Sequence, residues 1–193
     1  MHPALRVIRT EHNALSAMLR SIRLLLAVHR RNASLPDFTL LRAMLFYVDE
    51  FPERLHHTKE SQLLFPLLRA RGDEAGDVLD RLDREHARGE HAIRAVQHDL
   101  LGFEMMGTTE QGAYRREKFE HHMNQYVDFY LDHMRLEETV VLPLAERVLQ
   151  HNDWMTLDAA FLMNRDPLTG HDPDGAYRPL FQKILMAGAA PPR

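Results

Sequence analysis

Apolar residues in the N-terminal part of the chain recur in steps of three and four. Leu5, Ile8, Leu15, Leu19, Ile22 and Leu26 fall on one stripe, the spacing of a helix that buries one face. His12 takes the one seat in that series that is not apolar. The stripe predicts a helix from about Ala4 to Arg30. Ser34-Leu35-Pro36-Asp37 is turn chemistry, with Pro36 or Asp37 placed to start the next helix. A second helix is predicted from Asp37 to Ala70, stopping at Arg71-Gly72-Asp73. Pro52 and Pro66 lie inside it, and each is expected to bend or locally break it.

A third helix is predicted from Glu74 to Gly102, with the seam Leu79, Leu82, His86, Gly89, Ile93, Val96 and Leu100. A histidine again holds the third seat. Gly102 to Gly112 has no periodicity and reads as a connection, after which a fourth helix runs from Ala113 to Gln150. No segment alternates as a half-buried strand does. Four long amphipathic helices with short links predict an all-α fold, an antiparallel four-helix bundle spanning residues 1–150. Residues 151–193 form a short helical C-terminal extension packed on the bundle, too short to bury a core alone. Within it a helix is expected from Asn152 to Met163, a loop from Asn164 to Gly175, a helix from Ala176 to Ala187 and a frayed tail.

Composition narrows the chemistry. The chain has 193 residues, a net charge of −4 and no cysteine, which excludes disulfide scaffolds, thiolate zinc sites, iron–sulfur clusters and cysteine nucleophiles. The acidic balance argues against nucleic acid as a partner. No apolar run reaches the ~20 residues needed to span a bilayer, and the N-terminus lacks the apolar core of a secretion signal, so a cytoplasmic location is expected. Thirteen histidines are the anomaly, because imidazole is both a metal ligand and a near-neutral titrating group.

An internal repeat places them. His56, Glu60 and Pro66 lie over His133, Glu137 and Pro143 at a constant offset of 77, and Glu11-His12 lies over Glu85-His86 at an offset of 74. Each half is therefore a helix with one central histidine, followed by a helix carrying His-x-x-x-Glu and then proline. Residues four apart stack on one helix face, about 5–6 Å apart at Cβ. In a bundle the six side chains His12, His56, Glu60, His86, His133 and Glu137 converge. Four imidazoles and two carboxylates suit a pair of first-row transition metals, each carboxylate bridging and the histidines divided between the ions. Two iron ions fit best, and ligand type also permits manganese or zinc. The ferritin-like arrangement needs Glu-x-x-His twice; Glu53-x-x-His56 supplies one, and Tyr130 stands where the other would begin.

The chain resembles the hemerythrin-like, HHE cation-binding family. The resemblance rests on the histidine of helices one and three and on the run His56-His57-Thr58-Lys59-Glu60 through Leu64-Phe65-Pro66, and it covers residues 4 to 150. The bacterial stand-alone HHE proteins are the nearer type. The resemblance implies the same six ligands, carried over residue by residue. Two departures leave alternatives open. Oxygen carriers of the family have a histidine where this chain has Glu90, and they place the last carboxylate where this chain has Glu138.

Other candidates have plainer readings. His57, one step round the helix from His56, is expected outside the ligand set; His121 and His122 at the surface; Tyr126 in core packing; Met105 and Met106 as gap fillers. Gly89 takes a seam position where the first helix has Leu15. A glycine there either allows close packing or leaves room beside the metals for a small ligand.

The ligand set is poor in carboxylates, which favours holding ferrous iron and binding or sensing O₂, NO or peroxide, or iron handling, over oxygenase chemistry. An enzyme reducing peroxide or NO, or acting in iron–sulfur repair, is the second reading. A metal-free helical interaction module is the third. A sensor would need a partner protein for its output, and a homodimer is a further expectation.

Overall fold

The computed structural model describes residues 2–171 and 178–189. Helix α1 is Pro3–Arg31, started by a proline in its first turn. Helix α2 spans 38–71, α3 is Gly76–Met106, α4 spans 112–148, α5 is His151–Phe161 and α6 is Arg178–Ala189. There is no strand among the described residues. The expected elements are all found within a few residues. A single 3₁₀ turn, Pro167–Thr169, interrupts the expected loop. Residues 172–177 of that loop, and the tail from 190 onward, lie outside the described residues.

Contacts between helices run antiparallel. Arg23 on α1 meets Asn124 and Asp128 on α4, Ser16 meets Met134, and His12 meets Glu137. Asp49 on α2 meets Gln97 on α3, while Arg69 meets Asp80. Asp37 starts α2 as its N-cap, its carboxylate accepting from the backbone N–H of Thr39 and Leu40. Gly72, at a φ of 151°, ends it.

The prolines act differently from a simple kink. Pro52 sits inside an eight-residue π-helical run, Asp49–His56. Pro66 and Pro143 each sit in the first turn of the α-helical segment that follows a π turn. The two π turns are Glu60–Leu64 and Glu137–Val141, equivalent stretches in the two halves. Proline has no N–H and its ring clashes with the carbonyl four residues back; a wider turn relieves both. The helix stays continuous, and its side chains change phase at the glutamates.

Apolar side chains form two clusters. One is built around Leu19, Leu41, Tyr47, Ile93, Phe119 and Val127, and α6 closes it with Phe181 and Ile184. The other holds Leu5, Phe65, Leu82 and Leu142, and α5 closes it with Trp154, Leu157 and Phe161. Between the two lies a layer of buried histidine and glutamate.

Candidate metal centre

Each half delivers its ligand groups alike. The single histidine comes from mid-helix, His12 on α1 and His86 on α3. In each pair the Glu is the first residue of a π turn, while His133 lies near the end of an α-helical stretch and His56 ends the π-helical run that holds Pro52. His12, His56, His86 and His133 are at most 8% exposed, and Glu60 and Glu137 are at 0%.

The imidazoles meet in two pairs. Nε2 of His12 lies 3.2 Å from Nε2 of His56, and Nε2 of His86 lies 3.1 Å from Nε2 of His133. The carboxylates reach both. Glu60 turns Oε1 to His56 at 3.2 Å and Oε2 to His86 at 3.6 Å. Glu137 turns Oε2 to His12 at 3.2 Å and Oε1 to His133 at 3.3 Å. Each glutamate thus gives one oxygen to each pair.

Outside the layer, every ring is held by its other nitrogen. Nδ1–H of His56 donates to Glu11 at 2.6 Å, and that of His133 donates to Glu85 at 2.9 Å. Nδ1–H of His12 donates to Glu138 at 3.1 Å; that of His86 donates to Ser61 Oγ at 2.8 Å, whose own proton goes to Asp83. Glu11 corresponds to Glu85, and Ser61 to Glu138, at the offsets of the ligands themselves. Such partners fix the tautomer that leaves Nε2 free for a metal.

Glu137 and Glu138 therefore divide the labour. Glu137 faces the interior, whereas Glu138 is half exposed and grips His12 from outside. Glu90 does not enter the cluster. It lies at the surface, paired with Arg94 one turn on.

His57, expected either behind the ligands or at the surface, is buried against them. It is 3% exposed, and its ring is sandwiched between His86 (centroids 4.5 Å apart) and Tyr130 (5.3 Å). Its Nε2 has no hydrogen-bond partner. The donor atoms of His57, Glu60, His86 and His133 all lie within 4.8 Å of one another, as do those of His12, His56 and Glu60. Successive residues of an ordinary α-helix point about 100° apart, the full width of a typical buried stripe. The π-helical run ending at His56 takes a smaller angular step, and Pro52 was the available signal.

Behind His57 stands a polar chain. Its Nδ1–H donates to Glu53 at 3.2 Å, and the hydroxyl of Tyr126 donates to the other Glu53 oxygen at 2.6 Å. Tyr126 is core, as expected, with one specific bond. Gly89 explains itself here. A Cβ on it would stand 1.7 Å from the Tyr130 hydroxyl oxygen and 3.0 Å from Glu53. The space is filled by tyrosine, so the idea of room for a small ligand is withdrawn. Met105 is 70% exposed and fills no gap.

Burial disfavours charged imidazoles in the layer, yet the carboxylates outweigh it. Glu137, Glu85 and Glu60 push His133 up to about 10. Glu60 and Glu11 hold His56 well above its ordinary value, and Glu137 and Glu138 raise His12. Glu137 lies well below the usual carboxylate range; burial opposes this, and His133 and His12 overcome it. His57 goes the other way. Burial and the charges of His86 and His133 push it well below its ordinary value, leaving a neutral ring with a free lone pair.

All four oxygens of Glu60 and Glu137 lie buried without a hydrogen bond of acceptable geometry. A buried carboxylate without compensation costs several kcal/mol. Four such oxygens facing imidazole nitrogens fit a cation. Residues 4–145 match the hemerythrin HHE cation binding domain.

The chain belongs to the hemerythrin family.

No curated protein and no solved structure matches it. The family match ends at residue 145, so α5 and α6 lie outside the matched span. No helix among the described residues is long and apolar enough to cross a membrane.

Proposed function

We propose that this hemerythrin-family protein holds two iron ions and uses them to bind or sense O₂, NO or peroxide, or to handle iron, in the cytoplasm. The observation that carries the reading is the pair of buried glutamates, each presenting one oxygen to each histidine pair. His12 and His56 would hold one ion. His86 and His133, with the Nε2 of His57, would hold the other. Bound iron would supply one-electron redox chemistry and an affinity for small diatomic or oxidant ligands.

The protein's own residues do the rest. Glu60 and Glu137 neutralise charge and tie the two positions together. Glu11, Glu138, Ser61, Glu85 and Glu53 hold the rings by Nδ1. The apolar clusters on both sides exclude water. A metal-free interaction module would have to keep the two buried carboxylates balanced by equally buried charged imidazoles, a costly arrangement for a packing role alone, which disfavours it. Sensing would require a partner protein to carry the output.

Metal analysis of protein purified without added metal tests the reading, together with absorption spectra of the reduced form before and after air, azide or NO. Two equivalents of iron and a ligand-dependent band support it. Stoichiometric zinc with no spectral response would overturn it.

A further inference from the structure

One buried polar group of the centre, Glu11, is hydrogen-bonded from beyond the residues that match the family. Glu11 Oε2 accepts from His56 Nδ1 at 2.6 Å, and the same oxygen accepts from Asn164 Nδ2 at 2.9 Å. Asn164 is 4% exposed and lies just past the end of α5. Its orientation is forced. Lys59 is a lysine of the run His56–Glu60, and its ammonium donates to Asn164 Oδ1 and, at 2.8 Å, to the carbonyl of Ala160. With its oxygen held by an ammonium, the amide must turn its NH₂ to Glu11. Lys59 thereby also caps the C-terminal end of α5, where helix carbonyls lack partners.

Two further anchors hold this segment. The Phe161 ring meets the His56 ring edge-on at 6.1 Å. Asp166, 4% exposed, accepts from the Tyr47 hydroxyl at 2.7 Å and from the backbone N–H of Leu168 at 2.9 Å. Among the described residues, the other half has nothing comparable. Glu85, the counterpart of Glu11, is steadied by Arg81, whose side chain is 54% exposed.

We propose that residues 151–171 are a working part of the metal centre, and that Asn164 is the positioning residue through which they set the His56 imidazole. The segment reaches the His12/His56 position and leaves the His86/His133 position alone. This rests on the centre described above for its metal readout, but its geometric half does not. Partners that orient metal-bound histidines are typically worth 10–100-fold in affinity.

The test uses the full-length chain with Asn164→Ala and the isosteric Asn164→Asp, which keeps an acceptor for Lys59 but sets a carboxylate against Glu11. Arg81→Ala serves as the comparison in the other half. In metal-free protein, the His56 Nδ1–H signal should lose its protection from solvent exchange in both Asn164 variants, with that of His133 unchanged. In iron-loaded protein, chelator should remove one of the two ions about 10–100-fold faster and the other at the wild-type rate. Unchanged His56 protection overturns the proposal. So does equal acceleration of both ions, the mark of general loosening. Wild-type protein that takes up no metal, with the His56 effect intact, overturns the di-iron reading and leaves the positioning role standing.

Discussion

The two halves of the bundle share a design and diverge at a few positions. Glu11 holds His56 as Glu85 holds His133, and Glu138 holds His12 as Ser61 holds His86. Both bridging glutamates open a π turn. The divergence starts where the second half has Met134 at the place of His57, and Tyr130 at the place of Glu53. His57 has a free Nε2 and a donor atom within 4.8 Å of those of Glu60, His86 and His133. Met134 accepts a weak bond from Ser16 at its sulfur. Repetition thus fixes the pair of carboxylates and the four shared histidines, while single substitutions make the two histidine sets, and the metal positions proposed on them, unequal. The position served by His12 and His56 has one nitrogen donor fewer.

The largest expected effect strikes both halves together. Glu60→Ala or Glu137→Ala removes an oxygen from each position at once, so iron content should fall from two equivalents per chain toward none. A variant that keeps two equivalents breaks the bridging arrangement. Protonation reaches both halves as well, through His12, His56 and His133. A group raised in the folded state stabilises fully below its unfolded value and loses that contribution as pH climbs through the folded value. For His133 the window runs from 6.5 to about 10. Glu137, lowered from 4.5, contributes above that pH and loses its contribution as pH falls below it. His57, lowered from 6.5, works from the other side and loses stability as pH falls below that value, so chelator-stripped protein should melt highest near pH 6.5 and lose stability toward alkaline pH. Iron binding should strengthen over the same range, because metal displaces those protons. A melting temperature of the stripped protein that rises steadily toward pH 10 contradicts this.

The next test makes the halves alike. His57→Met copies Met134 into the first half and should weaken one ion by at least about tenfold, a lower bound taken from the loss of a mere orienting partner. Two unequal iron signals in Mössbauer spectra should converge. If they stay as they were, His57 is no ligand. The smallest effect is Gly89→Ala. Overpacking costs about 1–3 kcal/mol, against a gain of roughly 0.5–1 kcal/mol in helix propensity, so the net is a modest destabilisation in urea. The cost should shrink in a Tyr130→Phe background, which removes the atom that stands 1.7 Å from the new Cβ.

Periodicity alone was enough to place the four helices, and the repeat was enough to bring six side chains together. What stayed hidden depended on phase and on distance along the chain. Whether His57 stood behind the ligands or at the surface stayed open because its phase depends on the π-helical run that ends at His56. Pro52 and Pro66 announced a disturbance, and its nature was invisible. Gly89 showed that a side chain was missing but not that Tyr130, which lies 41 positions on, fills the gap. Asn164 sits 153 positions from Glu11 in a stretch of loop composition, where no periodic signal exists.

The repeat has one more consequence, in the language of assemblies. Two identical helical hairpins pairing about a two-fold axis would be bound to present every ligand twice. Such a dimer could carry His57 in both halves or in neither, never in one. Covalent linkage of the hairpins removes that constraint. A single chain can keep a shared pair of carboxylates on the pseudo-axis while one metal position is made closed and the other open. The short connection between residues 72 and 75, which joins the hairpins, is what permits the two positions to differ.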